Sequence, residues 1–243
     1  MQIIKLDATQ STNTYLKDLS FKKELDDFTV ITTRNQTLGR GQMSAKWESE
    51  PGKNLAFSML KNYINIPIQR VFLISVCVSL AIVDALNRLG IPDLSIKWPN
   101  DILSGNSKIG GILIENILSG SKIKRTIIGF GLNVNQEVFK NAPNASSLKN
   151  IMDVDFDLDS VFYSLIEQLR LYLNKPIDSL EQELYAQYHS YLFKLGDRSS
   201  FKNQDGSLFT GTIEKVTIGG KLIVRHEDGD FQEYGLKEIQ LMY

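Results

Sequence analysis

The chain has 243 residues, 42% hydrophobic and 23% charged, with 27 Lys and Arg set against 28 Asp and Glu for a formal net charge of −1. That is globular composition, without the clustered basic excess of a general nucleic-acid binder. A chain of this length buries roughly 70% or more of its unfolded surface, so it needs no covalent staple. Its one cysteine, Cys77, excludes an internal disulfide and any CxxC metal site.

The first strand is expected in QIIKLDA. Ser11 or Thr12 then caps a helix by offering a side-chain oxygen to free backbone N–H groups. Phe28 to Arg34 is rich in β-branched residues and reads as a buried strand emptying into TLGRGQMSAKWES; Asn54 to Lys61 is the next strand. Ile68 to Leu89 is apolar at helical spacing and stops at Gly90. Within it, the run Val71 to Val83 falls short of the ~18–20 apolar residues that cross a bilayer, and Cys77 reads as a small buried hydrophobe. The N-terminus lacks a basic start and a long apolar core, so no signal peptide is expected and the cytoplasm is the expected location.

Short strands follow, LSIKW, DILSGNSKIGGILIEN and KIKRTIIGFGLNVN, turning at Gly105-Asn106 and Ser119-Gly120. Strands arriving in succession favour an α+β fold with a mixed, largely antiparallel sheet and helices on one face. Asp159 to Leu173 and Ser179 to Leu192 read as amphipathic helices. Beyond Leu195-Gly196-Asp197 the pattern alternates apolar and polar residues between glycine turns, the size of a small open barrel. The expected division is therefore 1–193 and 194–243.

Three clusters carry candidate chemistry. Gly39 and Gly41 let backbone approach a ligand, and Arg40 between them offers a planar fork of donors for carboxylate or phosphate; an ordinary flexible turn has the same look. Lys97 leads into a proline-fixed turn bearing Asn100 and Asp101, Lys108 follows on the paired strand, and Gly110-Gly111 bares that strand where something packs against backbone. The alternative is a hairpin with a solvated lysine. Finally, Gly129 and Gly131 interrupt another apolar strand, and Asn133 offers a paired donor and acceptor to an adenine edge. Taken together, these describe a pocket for a nucleoside monophosphate without a Walker loop. No His/Cys/Asp cluster points to zinc, and His189 and His226 lie beside no candidate nucleophile, against a Ser-His-Asp hydrolase.

In order along the chain stand Ser11-Thr12-Asn13, Gln36-Thr37-Leu38-Gly39-Arg40-Gly41, Lys46-Trp47, Lys97-Trp98-Pro99-Asn100-Asp101, Lys108-Ile109-Gly110-Gly111-Ile112-Leu113 and Gly131-Leu132-Asn133-Val134. This series resembles the biotin protein ligases over essentially the whole chain. The resemblance implies a class II synthetase-like biotin/lipoate ligase catalytic domain with a C-terminal SH3-like β-barrel. It implies ATP and biotin as substrates with Mg²⁺, a biotinyl-5′-AMP intermediate, and transfer to a lysine of a biotin carboxyl carrier protein domain. Arg40 and Lys108 would neutralise the carboxylate and α-phosphate and act catalytically. Ser11, Thr12 and Gln36 would bind the ureido ring, with Gly39 and Gly41 beside it. Trp47, Gly111 and Ile112 would wall the apolar bicycle and chain. Gln42, Lys46, Asn100, Gly131 and Asn133 would line the adenylate, and Asp101 would help hold Mg²⁺.

Two departures stand out. Ser11-Thr12-Asn13 begins too near the first residue for the N-terminal winged-helix domain some members carry, so no sequence-specific DNA binding is expected. Many members also have a second arginine where Gln42 stands here, which predicts a leakier hold on the adenylate. A lipoate or octanoate ligase or transferase of the same fold, and a non-catalytic biotin-binding module, are the rival readings. No membrane partner is expected, and the chain would act as a monomer or homodimer.

Overall fold

The computed structural model describes residues 1–42, 45–175 and 177–243, the side chains of 64, 65, 177 and 178 excepted. Strand β1 (Ile3–Thr9) leads through helix α1 (Thr12–Lys22) to β2 (Val30–Gln36), which pairs with β1 in parallel. Parallel neighbours require such a crossover, and the helix supplies it. Ser11 is the N-cap of α1 and its side chain accepts from the Thr14 N–H.

The other pairings in this sheet are antiparallel. They join β3 (Leu55–Pro67), β4 (Leu94–Lys97), β5 (Asp101–Ser104), β6 (Ser107–Ser119) and β7 (Lys122–Leu132) in the order β1-β2-β3-β7-β6-β5-β4. The mixed, largely antiparallel sheet expected from the succession of short strands is the one observed. The hairpin between β5 and β6 turns where Gly105 takes φ +56°, a conformation glycine adopts without penalty.

Helices lie on both faces of the sheet, where the sequence pattern led us to expect one. Side chains alternate along a strand. Val30 and Met59 therefore point into the main core with helix α2 (Val71–Arg88) and helix α4 (Leu158–Leu173). Their neighbours Ile31 and Leu60 point the other way, into a smaller cluster with Leu16 of α1 and Ile127. A short helix, α3 (Leu148–Met152), precedes α4, and α5 (Ile177–Ser190) packs on α2.

Helix α2 forms within the stretch from Ile68 to Leu89 expected to be helical. Together with the preceding 3-10 turn, Ile68–Arg88 is long and apolar enough to cross a membrane by length and composition. Its apolar surface is instead packed against the sheet, α4 and α5, which is why it is hydrophobic nearly all round. Cys77 lies on it, its thiol pushed up to about 12 by burial, a packing residue as expected.

The chain ends in strands β8 (Arg198–Asn203), β9 (Leu208–Val216), β10 (Leu222–His226), β11 (Phe231–Tyr234) and β12 (Ile239–Met242). They form an antiparallel sheet in the order β11-β10-β9-β8-β12. Its inner residues Phe201, Ile213, Leu222 and Val224 belong to the same core cluster as the large sheet. The Trp98 indole N–H donates to the Gly220 carbonyl at 2.9 Å, tying the β4–β5 turn to the β9–β10 turn.

His189 at the end of α5 joins the two parts. Its Nε2 accepts the Val216 N–H at 2.9 Å, which requires the neutral ring, and burial holds its pKa below the ordinary 6.5. A depressed folded-state pKa means that its stabilising contribution is complete above the unfolded value and is lost as pH falls through the folded one. Thermal melts from pH 7 to pH 5 should therefore show a steeper loss for the native chain than for His189→Gln, and parallel curves would refute this.

Candidate functional site

A cavity of about 720 Å³ opens on the α1 face of the large sheet and is lined in part by residues of the small sheet. Its floor follows from strand register. Gly111 pairs with Gly131, Leu113 with Gly129 and Glu115 with Ile127, so these side-chain positions share one face. With glycine at three of them, other groups approach the backbone directly. A Cβ on Gly129 would overlap the Asn13 amide, one on Gly131 would overlap the Trp47 indole, and one on Gly111 would lie 3.3 Å from the same indole. The bare strand surface, read from sequence as a place where something packs against backbone, thus carries the chain's own Trp47, whose Nε1 is buried without a hydrogen-bond partner.

Trp47 is brought there by the Gly-Arg-Gly segment. Trp47 N–H donates to the Gly39 carbonyl at 3.0 Å, Gly41 N–H donates to the Ala45 carbonyl at 2.7 Å, and Arg40 bridges to Lys46. The result is a narrow ribbon folded back on itself; Met43 and Ser44 lie outside the described residues. Gly39 is required because a Cβ there would overlap the Trp47 carbonyl.

One end of the cavity is a hydrogen-bonded polar cluster. Gln36 Oε1 accepts from Thr12 N–H at 2.9 Å and from Thr12 Oγ1 at 3.2 Å. Ser58 donates to Asn13 Oδ1 at 2.5 Å, and its oxygen lies 2.7 Å from Thr12 Oγ1. Ser11, Thr12 and Asn13 are all buried, held at the first turn of α1.

Cations gather along the walls. Lys108 Nζ lies 2.7 Å from Asp101 Oδ1 and 5.7 Å from the centroid of the Trp47 ring. Lys97 is held below its ordinary pKa by burial, against which Asp101 acts in the opposite sense. Arg40 donates to Thr14 Oγ1 at 3.2 Å and faces Glu115 at 3.8 Å. Lys202 and Lys237 reach the cavity from the small sheet. Asn100 pins the turn of Lys97 and Asp101 to β6, accepting the Ile112 N–H at 2.9 Å and donating Nδ2 to the Ile112 carbonyl at 2.8 Å.

The structure brings Ser11, Thr12, Gln36, Arg40, Gly41, Gln42, Lys46, Trp47, Asn100, Asp101, Lys108, Gly111 and Gly131 to this one cavity. The other expected residues have further partners in the fold. Ile112 lines the cavity and also packs in the main core. Asn133 does not line the cavity; its amide donates to the Ser146 carbonyl at 3.0 Å and so anchors the segment beside Lys108. Asp101 is paired with Lys108, and no group of three acidic, His or Cys residues that could hold a metal occurs among the described residues. Sequence reading passed over Asn13, Ser58 and Glu115 as site residues. Asn13 had a local signal, its place after Ser11-Thr12, but Ser58 and Glu115 meet it only through strand register.

The arrangement can hold a ligand with a polar hydrogen-bonding end, an apolar body and an anionic centre. A family model described as the biotin/lipoate A/B protein ligase family matches residues 6–133. The biotin–[acetyl-CoA-carboxylase] ligase of Mycobacterium tuberculosis is 26% identical over 217 residues, which cover 88% of this chain and 79% of that protein. The bifunctional ligase/repressor BirA of Bacillus subtilis is 32% identical over 135 residues, 56% of this chain; the match spans 41% of the relative's length. Among solved structures, a biotin protein ligase from Aquifex aeolicus in complex with biotin and ATP superposes with a TM-score of 0.80 at 26% identity, covering 99% of this chain and 98% of that one.

The glycine floor has a direct test. Gly131→Ala places a methyl group inside the Trp47 indole, so the ring must leave its seat while the rest of the sheet stays paired. Tryptophan fluorescence should shift to the red with little loss of far-ultraviolet ellipticity. An unshifted spectrum in the folded variant would show that Trp47 does not rest on this floor in solution.

Proposed function

The chain belongs to the biotin/lipoate A/B protein ligase family, and from that footing we propose that it is an ATP-dependent biotin–protein ligase. In the first step a carboxylate oxygen of biotin attacks the α-phosphorus of ATP. The bond from that phosphorus to the bridging oxygen breaks, and pyrophosphate leaves with the electron pair. In the second, the amine of a lysine on a biotin carboxyl carrier protein domain attacks the acyl carbon of biotinyl-5′-AMP. AMP departs and the lysine nitrogen loses its proton.

The observation that carries biotin over lipoate or octanoate is the polar end of the cavity. Thr12 and Gln36, supported by Ser58 and Asn13, present hydroxyl and amide groups. A ureido ring has N–H donors and a carbonyl acceptor that can exchange into this network, whereas a dithiolane or an alkyl tail brings no group to pair with it.

The acyl-transfer chemistry rests on charge. Two anions must meet in the first step, and Arg40 and Lys108, which line the cavity, would stabilise the charge that develops. Holding both reactants together supplies much of the rest of the acceleration. Trp47 covers the apolar part of the ligand, and its unpartnered Nε1 gains from any acceptor brought beside it. Mg²⁺ accompanying ATP would supply counter-charge to its phosphates, and Asp101, a carboxylate lining this cavity, would help hold it. Residues 1–193 would form the catalytic domain and 194–243 a smaller one that closes the cavity over ATP or the carrier. The chain would work in the cytoplasm as a monomer or homodimer.

Purified protein with ATP, Mg²⁺, labelled biotin and an apo-carrier domain should label the carrier. Label from octanoate or lipoate but not from biotin would overturn the assignment. Lys108→Ala should slow adenylate formation by about 10²-fold or more, the usual effect of removing a group that stabilises transition-state charge; a normal rate would remove Lys108 from this role. Gln42 lines the cavity without the charge of an arginine, so biotinyl-AMP should leave the native protein faster than Gln42→Arg, as followed by its release over time. Equal rates would dismiss the idea.

A further inference from the structure

Glu115 has no part in the reaction described above, yet among the described residues it is the carboxylate that faces Arg40. It is largely buried, with 17% of its side chain exposed, and three donors surround it: Asn13 Nδ2 at 3.1 Å, Lys17 Nζ at 3.3 Å and Arg40 Nη2 at 3.8 Å. Arg40 is also tethered by its hydrogen bond to Thr14 Oγ1. The guanidinium is therefore drawn toward α1 while still lining the cavity.

We propose that Glu115 is a positioning residue that holds Arg40 in the free protein and releases it to the carboxylate of the ligand, with Lys17 left behind to neutralise Glu115. The inference rests on the biotin reading above. A guanidinium pairs well with a carboxylate in two-pronged geometry, and an incoming carboxylate competes with Glu115 for the same fork. At 3.8 Å, with the Arg40 side chain 49% exposed, the resident pair is a weak one and exchange is easy. Lys17 is the reason that Arg40 can leave. A carboxylate as buried as Glu115 cannot be stripped of every cation without a penalty, and Lys17 and Asn13 stay in place when Arg40 swings away. The same Asn13 contacts Ser58 through its other amide atom, so the Glu115 end and the Thr12 end of the cavity are parts of one network.

The two neighbours of Arg40 then have opposite effects, which calorimetry can read. Biotin is compared with biotin amide, which has the same ring and chain but a neutral end. Glu115→Gln keeps an acceptor for Asn13 and removes the competing charge. It should tighten biotin by about three- to fivefold, as expected for loss of an exposed ion pair, and leave biotin amide unchanged. Lys17→Met leaves Glu115 dependent on Arg40 and should weaken biotin by a similar factor, again sparing the amide. Both shifts should vanish in an Arg40→Ala background. Equal shifts for the two ligands, shifts of the same sign in the two variants, or shifts that persist without Arg40 would overturn the proposal; the last would mark a general change in local potential. Native protein that binds neither ligand would instead overturn the biotin reading on which the proposal rests.

Discussion

The pairing of Gly111 with Gly131, and of Leu113 with Gly129, across β6 and β7 is the contact on which the site depends. Antiparallel register puts these residues on one face, and the absent side chains let Asn13 and Trp47 lie against backbone. Asn13 comes from the first turn of α1 and Trp47 from the ribbon that follows β2. A slip of one residue in β7 would turn Ile128 and Phe130 to that face and close the cavity from below. Core packing prevents the slip, because Ile128 and Phe130 are seated in the main cluster beneath the sheet. The stability of the core and the openness of the site are thus opposite faces of one register.

Electrostatics follow a second pattern. The chain as a whole has a net charge of −1, yet the cavity is lined by Arg40, Lys46, Lys97 and Lys108. Local pairing reconciles the two. Lys108 is matched with Asp101, and Arg40 with Glu115 and Thr14. Lys97, the most enclosed, is held below its ordinary pKa by burial. In the free protein Lys108 and Arg40 are compensated from within the fold, so an incoming anion would exchange partners with them rather than meet bare charge. Such exchange suits a site where anionic groups arrive and depart in turn, because each resident carboxylate limits how tightly any of them is held.

Much of this was legible locally. The glycine-broken strands, the turn at Gly105-Asn106, the α2 stop at Gly90 and the capping Ser11 all stand where the sequence places them, since turn geometry and capping are decided within a few residues. Packing settled several points that the local pattern left open. Ile112 is apolar and adjoins Gly111, and it packs in the main core as well as lining the cavity. Asn133 follows directly on β7, yet its amide turns to the 144–146 segment because a buried amide takes the nearest carbonyl, that of Ser146. The apolar run in α2 belongs to a longer helix, which is explained by its packing on both the sheet and its neighbouring helices.

By itself the sequence determined which chemical groups are present and in what order: the arginine between glycines, the lysine after a proline turn, the hydroxyl and amide residues at a helix start, and the alternation that makes strands. Those follow from short-range sterics and from side-chain chemistry. Only the tertiary structure decided that Trp47 covers the glycine floor, that Ser58 and Glu115 join the site, that α1 occupies the face opposite α2, and that the small sheet lines part of the cavity. These depend on register and on contacts between residues far apart in the chain, such as Asn13 with Glu115, where no local preference selects one partner over another.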